Sequence, residues 1–224
     1  MKFKQQTLDF INNQQAFDKL SQYVSMIENA NQKFNLTGFK GDKLWEEGIY
    51  ESILCLNHFI PNKSIKLLDV GAGAGFPSIP FKIINSQIHL FIYESIQKRV
   101  QFLQEVSDTL RLDSHIFKIR AEESTAREVF DFITARAVAP LRVLLEITSH
   151  LGKIGAQYIF IKGPKYEAEM IESKTIIKKL KIKIHIKKIV LPNKILVLIT
   201  YTKTFPTPSY YPRLWKDIKN DKNH

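Results

Sequence analysis

Residues 65–77 read Ile-Lys-Leu-Leu-Asp-Val-Gly-Ala-Gly-Ala-Gly-Phe-Pro, and this stretch decides the fold. Its apolar first half ends at Asp69 and Val70 and predicts a short buried strand. The three glycines that follow predict a tight turn. The segment from Ser78 to Ile84 then predicts a helix. Strand, glycine turn and helix are the opening unit of a nucleotide-binding α/β sheet.

The spacing of the glycines bears on which nucleotide could bind. Gly71, Gly73 and Gly75 form a G-x-G-x-G pattern, whereas the dinucleotide fingerprint G-x-G-x-x-G would need a glycine where Phe76 stands. A bulky ring at that position argues against close packing of a pyrophosphate. The pattern suits a nucleotide ligand without phosphates, such as S-adenosylmethionine. A tight turn that binds no ligand is the alternative that this stretch leaves open.

Composition narrows the class of protein. A chain of 224 residues with 44% hydrophobic side chains can form one domain with a full core, or one domain with a small appendage. No apolar run has the roughly 18 residues needed to span a bilayer, and the first residues do not resemble a signal peptide. Cys55 is the only cysteine, and the six histidines are scattered, so we expect no disulfide and no metal site. These features predict a cytoplasmic globular protein.

Charge is distributed unevenly along the chain. The formal net charge is +11, and residues 152–224 carry all of it, with 16 basic and 5 acidic side chains. Such asymmetry predicts a basic face or tail that binds a polyanion. Nucleic acid is the favoured partner. A membrane surface and a general abundance of lysine are the alternatives.

The order of predicted elements indicates the architecture. Helical periodicity covers residues 7–34 and 43–57, and from residue 65 onward strands and helices alternate. Two final strands, joined by a hairpin turn at Pro192-Asn193, end the sheet. We therefore predict a mostly parallel, seven-stranded sheet with helices on both faces and one antiparallel strand. The predicted domains are a helical cap (1–63), a nucleotide-binding domain (64–204) and a basic tail (205–224) with little regular structure.

Several finer expectations come from the same pattern. Ser95 should cap a helix that starts at Ile96, because serine is favoured at helix N-termini. Residues 166–180 should form one helix. The alternation of lysine and isoleucine over residues 181–184 should begin a strand that packs one face on the core and turns its lysines toward solvent.

Polar residues at the ends of the predicted strands are the candidate site residues, because ligands of such sheets bind at the carboxyl ends of the strands. Glu94 could accept both ribose hydroxyls, and Ala121 and Glu122 lie where an adenine edge would sit. Arg136 ends an apolar strand, where a cation is costly unless it is paired or faces a ligand. Lys162 could reach a phosphate. Each of these charged side chains could instead have a purely structural role.

The longer motifs resemble one family, the bacterial small-subunit rRNA guanine-N7 methyltransferases. The run from Asp69 to Pro80 is similar to the first motif of that family, and further matches extend over about residues 20–213. These matches are Asn35-Leu36-Thr37, Glu94-Ser95, Lys98-Arg99-Val100, Phe102-Leu103, Arg120-Ala121-Glu122-Glu123, Arg136-Ala137, Pro140-Leu141, Lys162-Gly163 and Tyr211-Pro212-Arg213.

The resemblance implies a Rossmann-like class I methyltransferase fold and a defined reaction. It implies transfer of a methyl group from S-adenosylmethionine to N7 of a guanine in the 530 loop of 16S rRNA. We expect a monomer whose partner is 16S rRNA or the small ribosomal subunit and not a membrane. The implied cofactor-binding residues are Gly71, Gly73, Phe76, Glu94, Ala121, Glu122 and Arg136. Arg136 is also the expected catalytic residue, which positions the target or the cofactor, and the expected RNA contacts are Asn35, Lys162 and Arg213.

Three departures from the family pattern concern RNA contact more than cofactor binding. Gly48 stands where the family usually has histidine, and Glu51-Ser52 stands where it has Asp-Ser. Leu214-Trp215-Lys216 stands where the family continues with glycine and proline. The alternatives are a noncatalytic RNA-binding protein and a methyltransferase of small molecules or proteins. A nicotinamide-dependent dehydrogenase is disfavoured by Phe76.

Overall fold

The computed structural model describes residues 2–192 and 194–221. Residue 1 of the predicted cap, Asn193 of the predicted hairpin turn and residues 222–224 of the predicted tail lie outside this range. The helices are α1 (Lys2–Ile11), α2 (Gln14–Lys33), a π-helix (Leu44–Tyr50), α3 (Glu51–Asn57), α4 (Ser78–Ile84), α5 (Gln97–Leu110), a 3₁₀ helix (Ala121–Glu123), α6 (Leu141–Thr148), α7 (Tyr166–Glu172), α8 (Lys174–Lys179) and α9 (Trp215–Asn220).

Seven strands form one sheet, in the order β3-β2-β1-β4-β5-β7-β6. They are β1 (Lys66–Val70), β2 (His89–Glu94), β3 (His115–Lys118), β4 (Phe130–Arg136), β5 (Gly152–Lys162), β6 (His185–Leu191) and β7 (Lys194–Thr202). β1 pairs parallel with β4, β4 with β5, and β2 with β3, whereas β7 runs antiparallel to both β5 and β6. The prediction of a mostly parallel seven-stranded sheet with one antiparallel strand is confirmed.

The chain forms two compact units. The first comprises the residues up to Ile65 together with Gly71–Lys118, and the second comprises Lys66–Val70 together with the residues from Ile119 onward. The domain boundaries expected at residues 63/64 and 204/205 stay a prediction.

In the first unit, local sequence explains the long helix α2. The side chain of Asn13 accepts a hydrogen bond from the backbone N–H of Ala16 at 3.0 Å, which caps the helix. Leu20, Tyr23 and Ile27, spaced three and four residues apart, are all fully buried. The amphipathic pattern predicted over residues 7–34 is therefore a real buried face, although it is divided between α1 and α2.

In the second unit, the central strands are buried on both faces. Ile133 on β4 and Ile159 and Phe160 on β5 have no exposed surface, as expected for strands covered by helices on both sides. At the carboxyl end of β4, Arg136 lies opposite Ile161 of β5. The topology thus places the end of β4 beside the end of β5, where two of the predicted site residues lie.

The prediction of little regular structure beyond Thr204 is wrong for its last part. Residues 215–220 form the short helix α9, whose Ile218 is fully buried. Arg142 of α6 donates a hydrogen bond to the carbonyl of Ile218 at 3.2 Å, and Arg127 donates to the carbonyl of Tyr211 at 2.7 Å. Side chains that are distant in sequence hold this C-terminal segment in place, and a local sequence pattern does not predict such contacts.

Four local expectations also differ from the structure. Ile96, and not Ser95, occupies the N-cap of α5, and it makes no side-chain cap. The helix predicted over residues 166–180 divides at Ser173 into α7 and α8. Residues 182–184 precede β6, which begins at His185, so the alternation of lysine and isoleucine is not part of the strand. The first half of the helix predicted over 43–57 is a π-helix.

Among residues 2–192 and 194–221, no helix combines the length and apolar character needed to cross a bilayer.

Candidate functional site

The glycine turn follows β1, and two of its glycines have different surroundings. Both have positive φ angles, +60° at Gly73 and +105° at Gly75, which side-chain-bearing residues rarely adopt. A Cβ at Gly75 would lie 2.6 Å from Ile79 Cγ1 and 2.7 Å from the hydroxyl of Tyr23, whereas a Cβ at Gly73 would meet no atom within 4 Å. Gly75 is therefore needed for packing, while Gly73 borders open space that a ligand can enter.

The carboxylate of Glu94, at the end of β2, lies directly beside this turn. Its Oε2 accepts a hydrogen bond from the N–H of Gly73 at 3.0 Å, and its Oε1 accepts from the N–H of Ile96 at 2.9 Å. The Nη1 of Arg99 lies 4.0 Å from Oε2. Glu94 is only 3% exposed, and backbone donors fix its orientation. A carboxylate has about four acceptor sites, so both oxygens keep capacity for hydroxyl donors of a ligand.

Phe76, expected to contact the cofactor, is a buried residue of the turn. Its ring centroid lies 6.0 Å from that of Tyr23 and 6.1 Å from that of Phe39. A Cβ on Gly48 would lie 2.7 Å from its Cζ. The ring therefore anchors the turn to the N-terminal helices, and a side chain at position 48 would meet this ring unless the ring moved.

The hydroxyl of Tyr23 adds a contact that helical periodicity did not reveal. It donates a hydrogen bond to the carbonyl of Ala74 at 2.5 Å, between two glycines of the turn. Gly71 is held from the other side, because its N–H donates to the carbonyl of Tyr93 at 2.7 Å. The backbone of the turn is thus fixed from α2 and from β2, which presents Gly73 in one conformation.

Asn35, an expected RNA contact, lies exposed in the loop after α2. The shape of this loop comes from a residue that sequence reasoning missed. The Oδ1 of Asn31 accepts hydrogen bonds from the N–H groups of Leu36 at 3.1 Å and Thr37 at 3.0 Å. Asn31 therefore closes the turn that displays Asn35. Asparagine near a helix end followed by turn residues is the signal that could have identified it.

In the second unit, the expected adenine contacts lie on the 3₁₀ helix. Ala121 is 3% exposed, and the carboxylate of Glu122 lies 3.5 Å from the guanidinium of Arg120. That guanidinium in turn lies 5.2 Å from the ring centroid of Trp215 on α9, a cation–π contact. Trp215 belongs to the stretch that departs from the family pattern, and it contacts the neighbour of a predicted site residue.

Arg136 ends β4 and is half-buried. The next residue, Ala137, has a φ of +56°, so the chain turns sharply as it leaves the sheet. Arg136 is therefore the last residue of the strand, at the carboxyl edge of the sheet.

The other two expected RNA contacts are engaged in ion pairs. Lys162 Nζ lies 2.6 Å from Oε2 of Glu169 and donates to the carbonyl of Ala139 at 2.9 Å. Arg213 pairs with Glu146 and with Asp221, each at a shortest distance of 2.6–2.7 Å. The hydrogen bonds to Glu146 raise the pKa of Arg213 further above its ordinary value, so the cation is permanent.

The expected site residues thus fall into two groups. Gly71, Gly73, Phe76 and Glu94 form one cluster in the first unit. Ala121, Glu122, Arg136, Lys162 and Arg213 belong to the second unit. The open space at Gly73 and the oriented carboxylate of Glu94 fit a nucleoside whose ribose donates hydrogen bonds. Within the described residues, no group of three or more histidine, cysteine, aspartate or glutamate side chains is arranged to hold a metal ion.

Comparison with known proteins gives consistent results. The family model described as "rRNA small subunit methyltransferase G" (GidB) matches residues 16–196. A protein named "Ribosomal RNA small subunit methyltransferase G" from Mycoplasmopsis pulmonis is 47% identical over 210 residues, which are 92% of each chain. One of the same name from Streptococcus pneumoniae is 36% identical over 91% of this chain and 89% of its own.

Solved structures share the fold at low sequence identity. A SAM-dependent methyltransferase from Aquifex aeolicus has a TM-score of 0.54 at 19% identity, covering 69% of this chain and 90% of its own. A predicted O-methyltransferase from Agrobacterium tumefaciens has a TM-score of 0.58 at 16% identity, covering 75% of this chain and 95% of its own. These likenesses establish the fold alone, the Rossmann-like class I methyltransferase fold.

Proposed function

Because the chain belongs to the rRNA small subunit methyltransferase G family, we propose that it methylates N7 of a guanine in the 530 loop of 16S rRNA. Its methyl donor is S-adenosyl-L-methionine. The observation that carries the proposal is the turn in which Gly73 borders open space beside the buried carboxylate of Glu94. Together with family membership, this geometry supports a donor site at the turn.

Each residue of the turn has a distinct proposed role. Glu94 accepts hydrogen bonds from the ribose hydroxyls, while its bonds to Gly73 and Ile96 hold it in place. The absence of a side chain at Gly73 lets the ligand approach the backbone. Gly71 and Phe76 keep the turn in its conformation through contacts with β2 and the N-terminal helices.

Residues of the second unit have proposed roles of their own, carried over from the family motifs. Ala121 and Glu122 contact the adenine edge, and the ion pair with Arg120 orients the carboxylate of Glu122. Arg136, at the carboxyl end of β4, positions the target base or the donor and moves no proton. Asn35, Lys162 and Arg213 are the proposed RNA contacts of the family motifs.

The chemistry fits this set of residues. The bound donor supplies an electrophilic methyl group on a sulfonium. Guanine N7 carries an exposed lone pair and acts as an acceptor in the major groove, so it needs no deprotonation before attack. The protein then accelerates the reaction by aligning N7 with the methyl group and excluding water. A general base among these side chains is therefore not required.

Methyl transfer to defined RNA tests the proposal. Tritiated S-adenosyl-L-methionine is offered to purified small subunits, to protein-free 16S rRNA and to ribosomal proteins, and labelled nucleosides are separated by chromatography. We expect label in 7-methylguanosine. Label in protein or in another nucleoside would contradict the proposal, and binding of RNA without any transfer would favour the noncatalytic alternative.

A further inference from the structure

The two basic residues expected from the motifs do not account for the charge of the last third of the chain. Lys162 faces the carboxylate of Glu169, and Arg213 faces those of Glu146 and Asp221. These pairs partly neutralise both cations. The residues from 152 to 224 nevertheless carry the whole net charge of +11, so other lysines supply most of the excess positive charge in this part of the chain.

The strand β6 presents lysines along an uncovered edge of the sheet. It is the last strand in the sheet order and pairs with β7. Ile186, Lys187, Lys188 and Val190 are all exposed, whereas Ile189 and Leu191 are half-buried. Lysines on an edge strand also prevent edge-to-edge association, and this is the structural alternative that an experiment must separate from RNA binding.

Strand register brings two of these lysines to the carboxyl edge. Lys162 of β5 lies opposite Val197 of β7, and Val197 lies opposite Lys188. One residue back along β5, Ile161 lies opposite Arg136 of β4 on one side and Leu198 of β7 on the other. Leu198 in turn lies opposite Lys187 of β6. With strands about 4.8 Å apart, Lys188 lies about 10 Å from Lys162 along the row. Lys187 and Lys188 thus extend the edge where ligands of parallel sheets bind.

A third lysine joins them from the loop after β5. Lys165 is the exposed N-cap residue of α7, three positions after Lys162. The first residue of that helix, Tyr166, lies under Lys188, whose Nζ is 5.4 Å from the ring centroid. A hydrogen bond to the Tyr166 hydroxyl raises the pKa of Lys188. We call Lys165, Lys187 and Lys188 the carboxyl-edge lysines.

Three other exposed lysines lie before the N-terminal end of β6. They carry the same charge as the carboxyl-edge lysines and therefore provide a matched control. Lys178 and Lys179 lie in the last turn of α8, and Lys183 lies in the link to β6. All three are exposed. They precede His185, where β6 begins, and the strand carries the chain away from them toward the carboxyl edge.

We propose that the carboxyl-edge lysines bind phosphates of the RNA substrate, and that Lys178, Lys179 and Lys183 do not. This inference rests on the proposed function and specifies where the substrate backbone lies on the second unit. RNA bound there would run along the same edge of the sheet as Arg136 and Lys162. Phosphate contacts of this kind fix the register of a nucleic acid without reading its sequence.

Two triple variants with the same change in charge test the proposal. One carries Lys165→Gln, Lys187→Gln and Lys188→Gln, and the control carries Lys178→Gln, Lys179→Gln and Lys183→Gln. Binding of 16S rRNA to each full-length protein is measured from low to moderate salt, and methyl transfer is followed at varied RNA concentration. Because all six side chains are exposed, both variants should remain folded at the assay temperature, although the first loses the contact of Lys188 with Tyr166.

We expect the carboxyl-edge variant to bind RNA at least about tenfold more weakly, with a salt slope smaller by about 2, since each phosphate contact with single-stranded RNA contributes about 0.7. Its KM for RNA should rise while kcat stays near the wild-type value, and the control should match the wild type. Equal losses in both variants, or no loss in the first, would overturn the proposal while leaving the proposed function intact. A wild-type protein that fails to methylate RNA would instead refute the proposed function.

Discussion

Arg213 and Glu146 form a bidentate ion pair that joins the C-terminal segment to α6. Arg213 Nε donates to Oε1 and Nη2 donates to Oε2, each at 2.7 Å. The side chain of Glu146 is only 1% exposed, whereas that of Arg213 is 33% exposed. The arginine of a motif expected to contact RNA therefore neutralises a buried carboxylate and holds the segment that leads to α9.

Replacing Arg213 should destabilise the protein because it leaves that carboxylate buried without its cation. We expect Arg213→Ala to lower the free energy of unfolding by about 3 kcal/mol, the lower end of the usual range because Arg213 is partly exposed. Urea denaturation measures the change. The exposed Lys216→Ala is the control and should change stability by less than about 0.5 kcal/mol. Equal stability of the two variants would show that the pair does not hold the segment.

Substitution of two neighbouring glycines should separate ligand binding from folding. Gly73→Ala places a methyl group in open space at positive φ, so we expect a loss of about 1 kcal/mol in stability together with loss of donor binding. Gly75→Ala would in addition bring its Cβ too close to Ile79 and Tyr23. We therefore expect it to lower the free energy of unfolding by about 1–3 kcal/mol more than Gly73→Ala does. Denaturation and calorimetric titration with S-adenosyl-L-methionine measure both effects. Normal donor binding by Gly73→Ala would contradict a ligand at this turn.

The charge of Glu94 should matter for the donor. Glu94→Gln keeps the size of the side chain but removes the charge that strengthens hydrogen bonds from ribose hydroxyls. Hydrogen bonds to charged groups contribute about 1.5–3 kcal/mol, so the Kd for S-adenosyl-L-methionine should rise by about 10- to 100-fold. Glu105→Gln, on the exposed face of α5, is the matched control. An unchanged Kd in Glu94→Gln would exclude the ribose role.

His150 should make the protein less stable in mild acid. Burial lowers the pKa of His150 to about 4, and the nearby charge of Arg127 adds to this effect. The unfolded chain binds the proton near pH 6.5, so it takes up a proton that the folded state rejects. The free energy of unfolding should therefore fall between pH 6.5 and 4, by up to about 1.4 kcal/mol per pH unit.

The variant His150→Gln isolates this contribution, since glutamine does not titrate. Urea unfolding of both proteins at about pH 7 and pH 5 gives the comparison. We expect the wild type to lose more stability than the variant as the pH falls. Parallel losses in the two proteins would assign the acid sensitivity to other groups.

The sequence predicted those parts of the structure that depend on local pattern. The strand, the turn and Glu94 at the end of β2 follow from short motifs and from the alternation of strands and helices, and the structure places Glu94 against Gly73. The family is confirmed. The order of the strands along the chain followed from the same alternation, although β6 begins later than this alternation predicted.

Features that depend on distant contacts could not be predicted in this way. The ion pair of Arg213 with Glu146 spans 67 residues, so no local signal distinguished it from a free cation. The ring of Phe76 packs against Phe39 and Gly48, which are far away in sequence. Periodicity identified Tyr23 as an apolar position, but the bond from its hydroxyl to Ala74 depends on where the turn comes to lie.

Mapping the methylated base in 16S rRNA is the most direct test of the proposed methylation. Small subunits that lack the modification are incubated with the protein and S-adenosyl-L-methionine, and the 16S rRNA is cleaved chemically at 7-methylguanosine and sequenced from the cut ends. We predict one new cleavage, within the 530 loop, that requires the donor and is lost with Gly73→Ala. Cleavage at another position, or a methyl group on a different atom or molecule, would contradict the proposed methylation site.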